Sequence, residues 1–165
     1  VGEHVWQQLL SVGTEPMGLA ASDALRLEAN FLEAPAEIPH PATPFDAGLA
    51  QLVDLKDAEN TPRTFKGSAH LEKTLKEFPA TRSIKALKLL DKGLAKKGDP
   101  VQLHDGTVVS ACVAALYSAA LGASLAFAYI PREHLNDSLY IETDSSRSST
   151  ESIRPEEVLE KIKGT

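Results

Sequence analysis

Hydrophobic positions recur along this chain at two periods, and the change falls near its middle. In the first half they return every three or four residues, the spacing that lines one face of a helix. Val5, Trp6, Leu9 and Leu10 predict a short helix over 4–10, ended by Gly13. Ala20, Ala24, Leu27 and Phe31 predict an amphipathic helix over 19–30, with Ser22 or Asp23 near its start and Asn30 closing it. Leu71, Leu75 and Phe78 stripe a third helix over 67–78. Glu72 and Lys76 pair one turn apart there, and Pro79 stops it.

Two loops separate these helices. Pro35, Pro39, Pro41 and Pro44 punctuate the first, because proline lacks an amide donor and fixes its own backbone. The second, over 54–64, is polar and closed by Pro62. Between them, 49–55 reads as a strand with imperfect alternation.

Beyond Pro79 the period shortens. Residues 84–90 form an apolar run of strand length, and Val101 and Leu103 alternate with polar neighbours. Asp105-Gly106 is a hairpin turn signal. Further strands are expected at 107–116, 124–130 and 139–142. The Ser-rich stretch 145–150 reads as mobile, and Pro155 starts a short charged helix over 156–163. The second half is therefore mostly β, of a size for a small barrel or sandwich.

Composition narrows the classes. Of 165 residues, 42% are hydrophobic and 24% charged, an ordinary globular balance. A net charge of −6 argues against non-specific nucleic-acid binding, which needs basic surface. The longest apolar-rich stretch, 108–130, is broken by Ser110, Ser118, Gly122 and Ser124, so no membrane span is expected. The single Cys112 cannot make an internal disulfide, and no charged-then-apolar leader pattern appears, so a reducing cytoplasm is the expected compartment. The start at Val1 suggests a chain processed or cut from something longer.

Little stand-alone chemistry is visible. His4, His40, His70, His104 and His134 are scattered, without metal-ligand spacing to one another or to Cys112. Cys112 sits in an apolar strand pattern and reads as a buried, inert thiol. Tyr117 and Tyr129 read as core or rim. No phosphate-cradling glycine loop or nucleophile elbow appears.

Two runs of residues carry a family resemblance. Residues 18–29, GLAASDALRLEA, resemble the GLxARDxLRLEAG segment of the glycine cleavage T-protein (aminomethyltransferase) family. Thr43-Pro44-Phe45-Asp46-Ala47-Gly48-Leu49 is similar to its SPxEAGL, and Phe65-Lys66-Gly67-Ser68-Ala69-His70-Leu71 to its FxGxxAL. In the second half, Gly98 with Pro100-Val101, then Ser118-Ala119-Ala120-Leu121, then 125–131 follow the order of its Gly-x-Pro-Val entry, SPxL corner and IAxAYVP strand.

The resemblance implies the C-terminal half of such an enzyme and an α+β fold: the end of an α/β folate-binding module followed by a small, mostly antiparallel β-barrel. Residues 1–80 would be the close of the folate module, 81–145 the barrel, and 146–165 a mobile tail and short helix. The family's catalytic aspartate falls in an N-terminal portion outside this chain. The implied cofactor is tetrahydrofolate, and the implied partners are that N-terminal portion and a lipoyl carrier protein.

The same resemblance nominates site residues. Glu28 matches the LEAG glutamate, whose carboxylate accepts the paired N–H groups of a pterin; the alternative is a solvated helix carboxylate. Arg26, in the same motif, anchors the helix to an acidic partner or lies on the surface. Lys56 or Arg63 would meet the anionic tail of folate, against the opposing charges of Asp54 and Asp57. Lys97, with Lys96, stands where the family has a basic residue before its Gly-x-Pro-Val.

Departures keep two other functions open. Leu32-Glu33-Ala34-Pro35 replaces the family's aromatic-glycine piece, and Val113-Ala114-Ala115 its Thr-Ser-Gly. One alternative is a non-catalytic folate-binding factor of the iron–sulfur maintenance type. Its KGCxxGQE motif is only begun by Lys66-Gly67-Ser68, with Glu72 one residue short of its spacing. The other is a degenerate scaffold that binds nothing small.

Overall fold

The computed structural model describes residues 1–38, 42–77, 81–144 and 146–153. Pro39, Pro41, Phe78, Pro79, Pro155 and the helix expected over 156–163 lie outside them. The described residues form three α-helices, α1 (Gly2–Ser11), α2 (Leu19–Glu28) and α3 (Ser68–Glu77), followed by a run of strands.

The apolar stripe of α1 is present but unburied: Val5, Trp6, Leu9 and Leu10 are all exposed. α2 packs against the β half and buries Leu27 and Glu28. Its start at Leu19 is as expected, but neither Ser22 nor Asp23 caps it. Gly18 is the cap residue, and no side chain caps the helix. Ser22 lies one turn inside, its amide bonded to the Gly18 carbonyl at 3.0 Å. The close of α2 is as expected. Asn30 takes φ 56°, and the Asn30 and Phe31 amides donate to the Leu27 and Arg26 carbonyls. That double bond pattern reverses the chain and satisfies two end carbonyls.

The strand expected over 49–55 does not form. Ala50–Leu52 is a single 3-10 turn. The Leu49 amide bonds to the Pro44 carbonyl at 2.8 Å and the Val53 amide to the Ala50 carbonyl at 3.1 Å, so local bonds take the groups a strand would share.

The β half is a closed antiparallel barrel in the order β1-β4-β3-β2-β5-β6. The strands are β1 (Arg82–Leu89), β2 (Pro100–Gln102), β3 (Val108–Ser118), β4 (Ala123–Pro131), β5 (Tyr140–Glu142) and β6 (Arg147–Ser152). Gly106, at φ 90°, makes the turn between β2 and β3, with the Leu103 amide bonded to the Thr107 carbonyl. Leu87, Val101, Cys112, Ala128, Ile130 and Ile141 fill the interior. β4 is buried from Ser124 to Ile130 without alternation. Ala126, Ala128 and Ile130 face the barrel core, while Phe127 faces the residues that follow α2. A strand covered on both faces loses its polar positions.

Within the stretch read as mobile, residues 147–152 form the strand that closes the barrel. β6 pairs with β5 through Tyr140↔Ser149 and with β1 through Leu89↔Thr150. Asp91 accepts both the amide and the hydroxyl of Ser149 at 3.0 Å, and Ser148 is fully buried. Serine and threonine hold this strand by backbone pairing rather than by an apolar stripe, so hydrophobic alternation misses it.

Among the described residues, no helix is long and apolar enough to cross a membrane.

Candidate functional site

Glu28 is 6% exposed and sits at the seam between α2 and the barrel. The seam replaces the solvated carboxylate with a buried one. The Ser118 hydroxyl, at the end of β3, donates to Glu28 Oε1 at 2.5 Å and accepts the Leu121 amide at 3.0 Å. The glutamate of the LRLEA run and the serine of the SAAL corner therefore meet. Each was visible in the sequence, but their contact was not. Oε2 carries no hydrogen bond among the described residues. A carboxylate offers about four lone-pair directions, so most of this acceptor's capacity is unused.

Arg26 is a strut rather than a surface arginine. Its guanidinium meets the Glu37 carboxylate at 2.7 Å, the Phe31 carbonyl at 2.9 Å and Asp23 at 3.4 Å. Glu37 is 2% exposed and also accepts the Glu33 amide at 2.8 Å. The bond to Glu37 pushes the guanidinium pKa above its ordinary value. Arg26 thus folds the segment after α2 back onto the helix, and its charge is already matched.

Of the two cations expected near an anionic tail, Arg63 has the better surroundings. It lines a hollow of about 310 Å³ with Leu52, Phe65 and Leu71, and Asp54 lies 4.0 Å away. Lys56 instead contributes backbone to a bridge with Pro62. Lys96 pairs with Asp144. Lys97 faces a hollow shared with Arg26 and Glu37, its ammonium 3.5 Å from the Ala36 carbonyl. The structure brings Arg26 and Lys97 together and leaves Lys56 out of the described hollows.

A larger cleft of about 660 Å³ opens just past Glu28, between the end of α2, the 3-10 turn and β1. Asn30, Phe31, Gln51, Leu52, Ile84 and Phe127 are among its walls. Phe31 is 70% exposed and Leu52 73%. The helical spacing places Phe31 on the α2 stripe, but the left-handed turn at Asn30 swings it to the cleft. Tyr117 is exposed on β3, away from this cleft, and Tyr129 is buried beside Arg82. Cys112 is buried in the barrel core, and burial pushes its thiol up to about 12. Among the described residues, no three His, Cys, Asp or Glu side chains are placed to hold a metal.

No model of a known protein family matches the sequence. Individual relatives do. An aminomethyltransferase from Synechococcus sp. (strain WH7803) is 37% identical over 130 residues, 79% of this chain and 34% of that protein. One from Prochlorococcus marinus (strain NATL2A) is 35% identical over 145 residues, 88% of this chain and 37% of that protein. The chain spans about a third of the length of these curated relatives. The crystal structure of glycine cleavage system aminomethyltransferase T from Bartonella henselae superposes with a TM-score of 0.77 at 22% identity, covering 93% of this chain and 42% of that one. Over the segment it spans, the chain belongs to the aminomethyltransferase family.

Proposed function

We propose that the chain works within a folate-dependent aminomethyltransferase of its relatives' length. Residues 1–80 are the close of the folate module, and the barrel that follows runs on through β6. The reading rests on the buried bond between Glu28 and Ser118, which joins the two runs that resemble the family.

In this reading Glu28 presents its remaining lone pairs to the paired N–H groups of the pterin. Ser118 fixes the carboxylate so that little orientation is lost on binding. Arg63 meets the anionic tail, and Asp54 weakens that contact. Arg26 shapes the segment after α2 and touches no ligand. Tetrahydrofolate supplies the acceptor for a methylene unit from an aminomethyl group on a lipoyl carrier, with release of ammonia. The catalytic carboxylate lies in sequence beyond this chain.

Calorimetric titration with tetrahydrofolate tests this, on the full chain and on a polypeptide of the relatives' length. The longer polypeptide should bind, and Glu28→Ala should abolish binding; this chain alone should bind weakly. Absence of heat from the longer polypeptide refutes the reading. Binding without ammonia release from an aminomethyl carrier favours the accessory factor instead.

A further inference from the structure

We propose that the segment following Ile153, residues 154–165, docks on the 660 Å³ cleft past Glu28 and covers it with an apolar face made by Val158, Leu159 and Ile162. These residues lie outside the described ones. The inference does not rest on the folate reading, because Glu28 is not among the walls of this cleft. Among the described residues no charged side chain lines it, and Ile84 and Phe127 give it apolar walls. Phe31 and Leu52 stand exposed at its mouth. Large apolar side chains gathered on one exposed face mark a surface that something covers.

The fold delivers the segment to that edge. The Ile153 amide donates to the Ala86 carbonyl at 3.1 Å, and the Ile153 carbonyl accepts Asn30 Nδ2 at 3.4 Å. The Ile153 side chain packs against Leu121 and Leu125. Ala86 and Asn30 are both walls of the cleft, so the chain leaves Ile153 at its rim. Arg154 and Pro155 link Ile153 to the helix expected over 156–163, a reach of at most about 7 Å. The first turn is thereby held beside the cleft. On that helix Val158, Leu159 and Ile162 share one stripe, and Glu156, Glu157, Glu160, Lys161 and Lys163 fall on the opposite side. An uncharged cleft accepts the stripe and leaves the charges in water. The short link makes docking intramolecular, so even modest contact keeps the segment in place.

A thiol on the cleft wall reads the cover directly. Gln51→Cys in the full chain places one there, and Cys112 is buried, so iodoacetamide reports on position 51. Val158→Asp together with Leu159→Asp puts charge on the stripe and touches no described strand. That pair should raise the alkylation rate at position 51 by about tenfold over the parent segment, a docking preference of about 1.4 kcal/mol. Glu160→Gln, on the charged side, should leave the slow rate unchanged. The slow rate should also persist on dilution, because the cover belongs to the same molecule. Equal rates with and without the aspartates overturn the proposal, as does equal loss of protection in Glu160→Gln. Protection that fades on dilution assigns the cover to a second copy and overturns it too. Tetrahydrofolate binding at Glu28 can fail or succeed without changing any of these results.

Discussion

The Ser118 hydroxyl donates to the Glu28 carboxylate across 90 residues of chain, and the same oxygen accepts the Leu121 amide. One side chain thus ties α2 to the barrel and shapes the turn between β3 and β4. Ser118→Ala leaves a buried carboxylate oxygen and a buried amide without their partner. It should lower stability by about 1–3 kcal/mol in denaturant unfolding. Glu28→Gln keeps an acceptor and should cost less. An unfolding midpoint for Ser118→Ala equal to that of the parent would show that the bond contributes nothing.

Arg26 and Glu37 should behave as a unit. Arg26→Ala strands a carboxylate that is almost wholly buried. Breaking a buried pair costs roughly 3–5 kcal/mol, and the partial exposure of Arg26 puts this one near the lower end. Glu37→Ala in the Arg26→Ala background should add little further loss. Additive losses in that double-mutant cycle would contradict the strut.

Cys112 predicts a pH dependence. Its ordinary value is 9.0, and in the fold it rises to about 12 because burial disfavours the thiolate. The unfolded chain therefore releases this proton first. Stability from this group is complete below pH 9 and falls as pH rises toward 12. Cys112→Ser should flatten that part of the stability curve. The native thiol should resist alkylation at neutral pH and react on unfolding. Rapid labelling of the folded protein would place the thiol elsewhere.

The strand β6 predicts slow amide exchange. The Thr150 amide bonds to the Leu139 carbonyl at 3.0 Å, and the Ser149 amide to Asp91. Both should be protected as strongly as amides in β1. Thr150→Pro removes a donor in the closing strand and should open the barrel. Exchange at the rate of free peptide would return this stretch to a mobile tail.

If the chain binds folate, Asp54 and Arg63 should act in opposite directions. Asp54→Asn removes an opposing charge 4.0 Å from the guanidinium and should tighten tetrahydrofolate binding. Arg63→Ala should weaken it. Both groups are largely exposed, so both effects should shrink at high salt. No change in either variant would remove Arg63 from the site.

The chain's own pattern carried the helices, most strands and the family resemblance, because each rests on local spacing. Leu27 and Phe31 mark a helix face, and Asp105-Gly106 marks a turn, whatever surrounds them. Cys112 read as a buried thiol for the same reason. What local spacing lacked was the partner. Nothing near Glu28 in sequence distinguishes a solvated carboxylate from one held by Ser118. Nothing near Ser148 or Thr150 shows that β1 and β5 wait on either side, because that strand is held by backbone bonds that leave no hydrophobic signature. Residues 49–55 erred in the other direction: apolar enough for a strand, they spent their amides on Pro44 and Ala50 instead. The turn at Asn30 then carried Phe31 off its helix face and into a cleft. Sequence determined which segments curl or extend. Only the closing of the barrel against α2 decided which polar groups are buried, and so which residues have a partner and which still lack one.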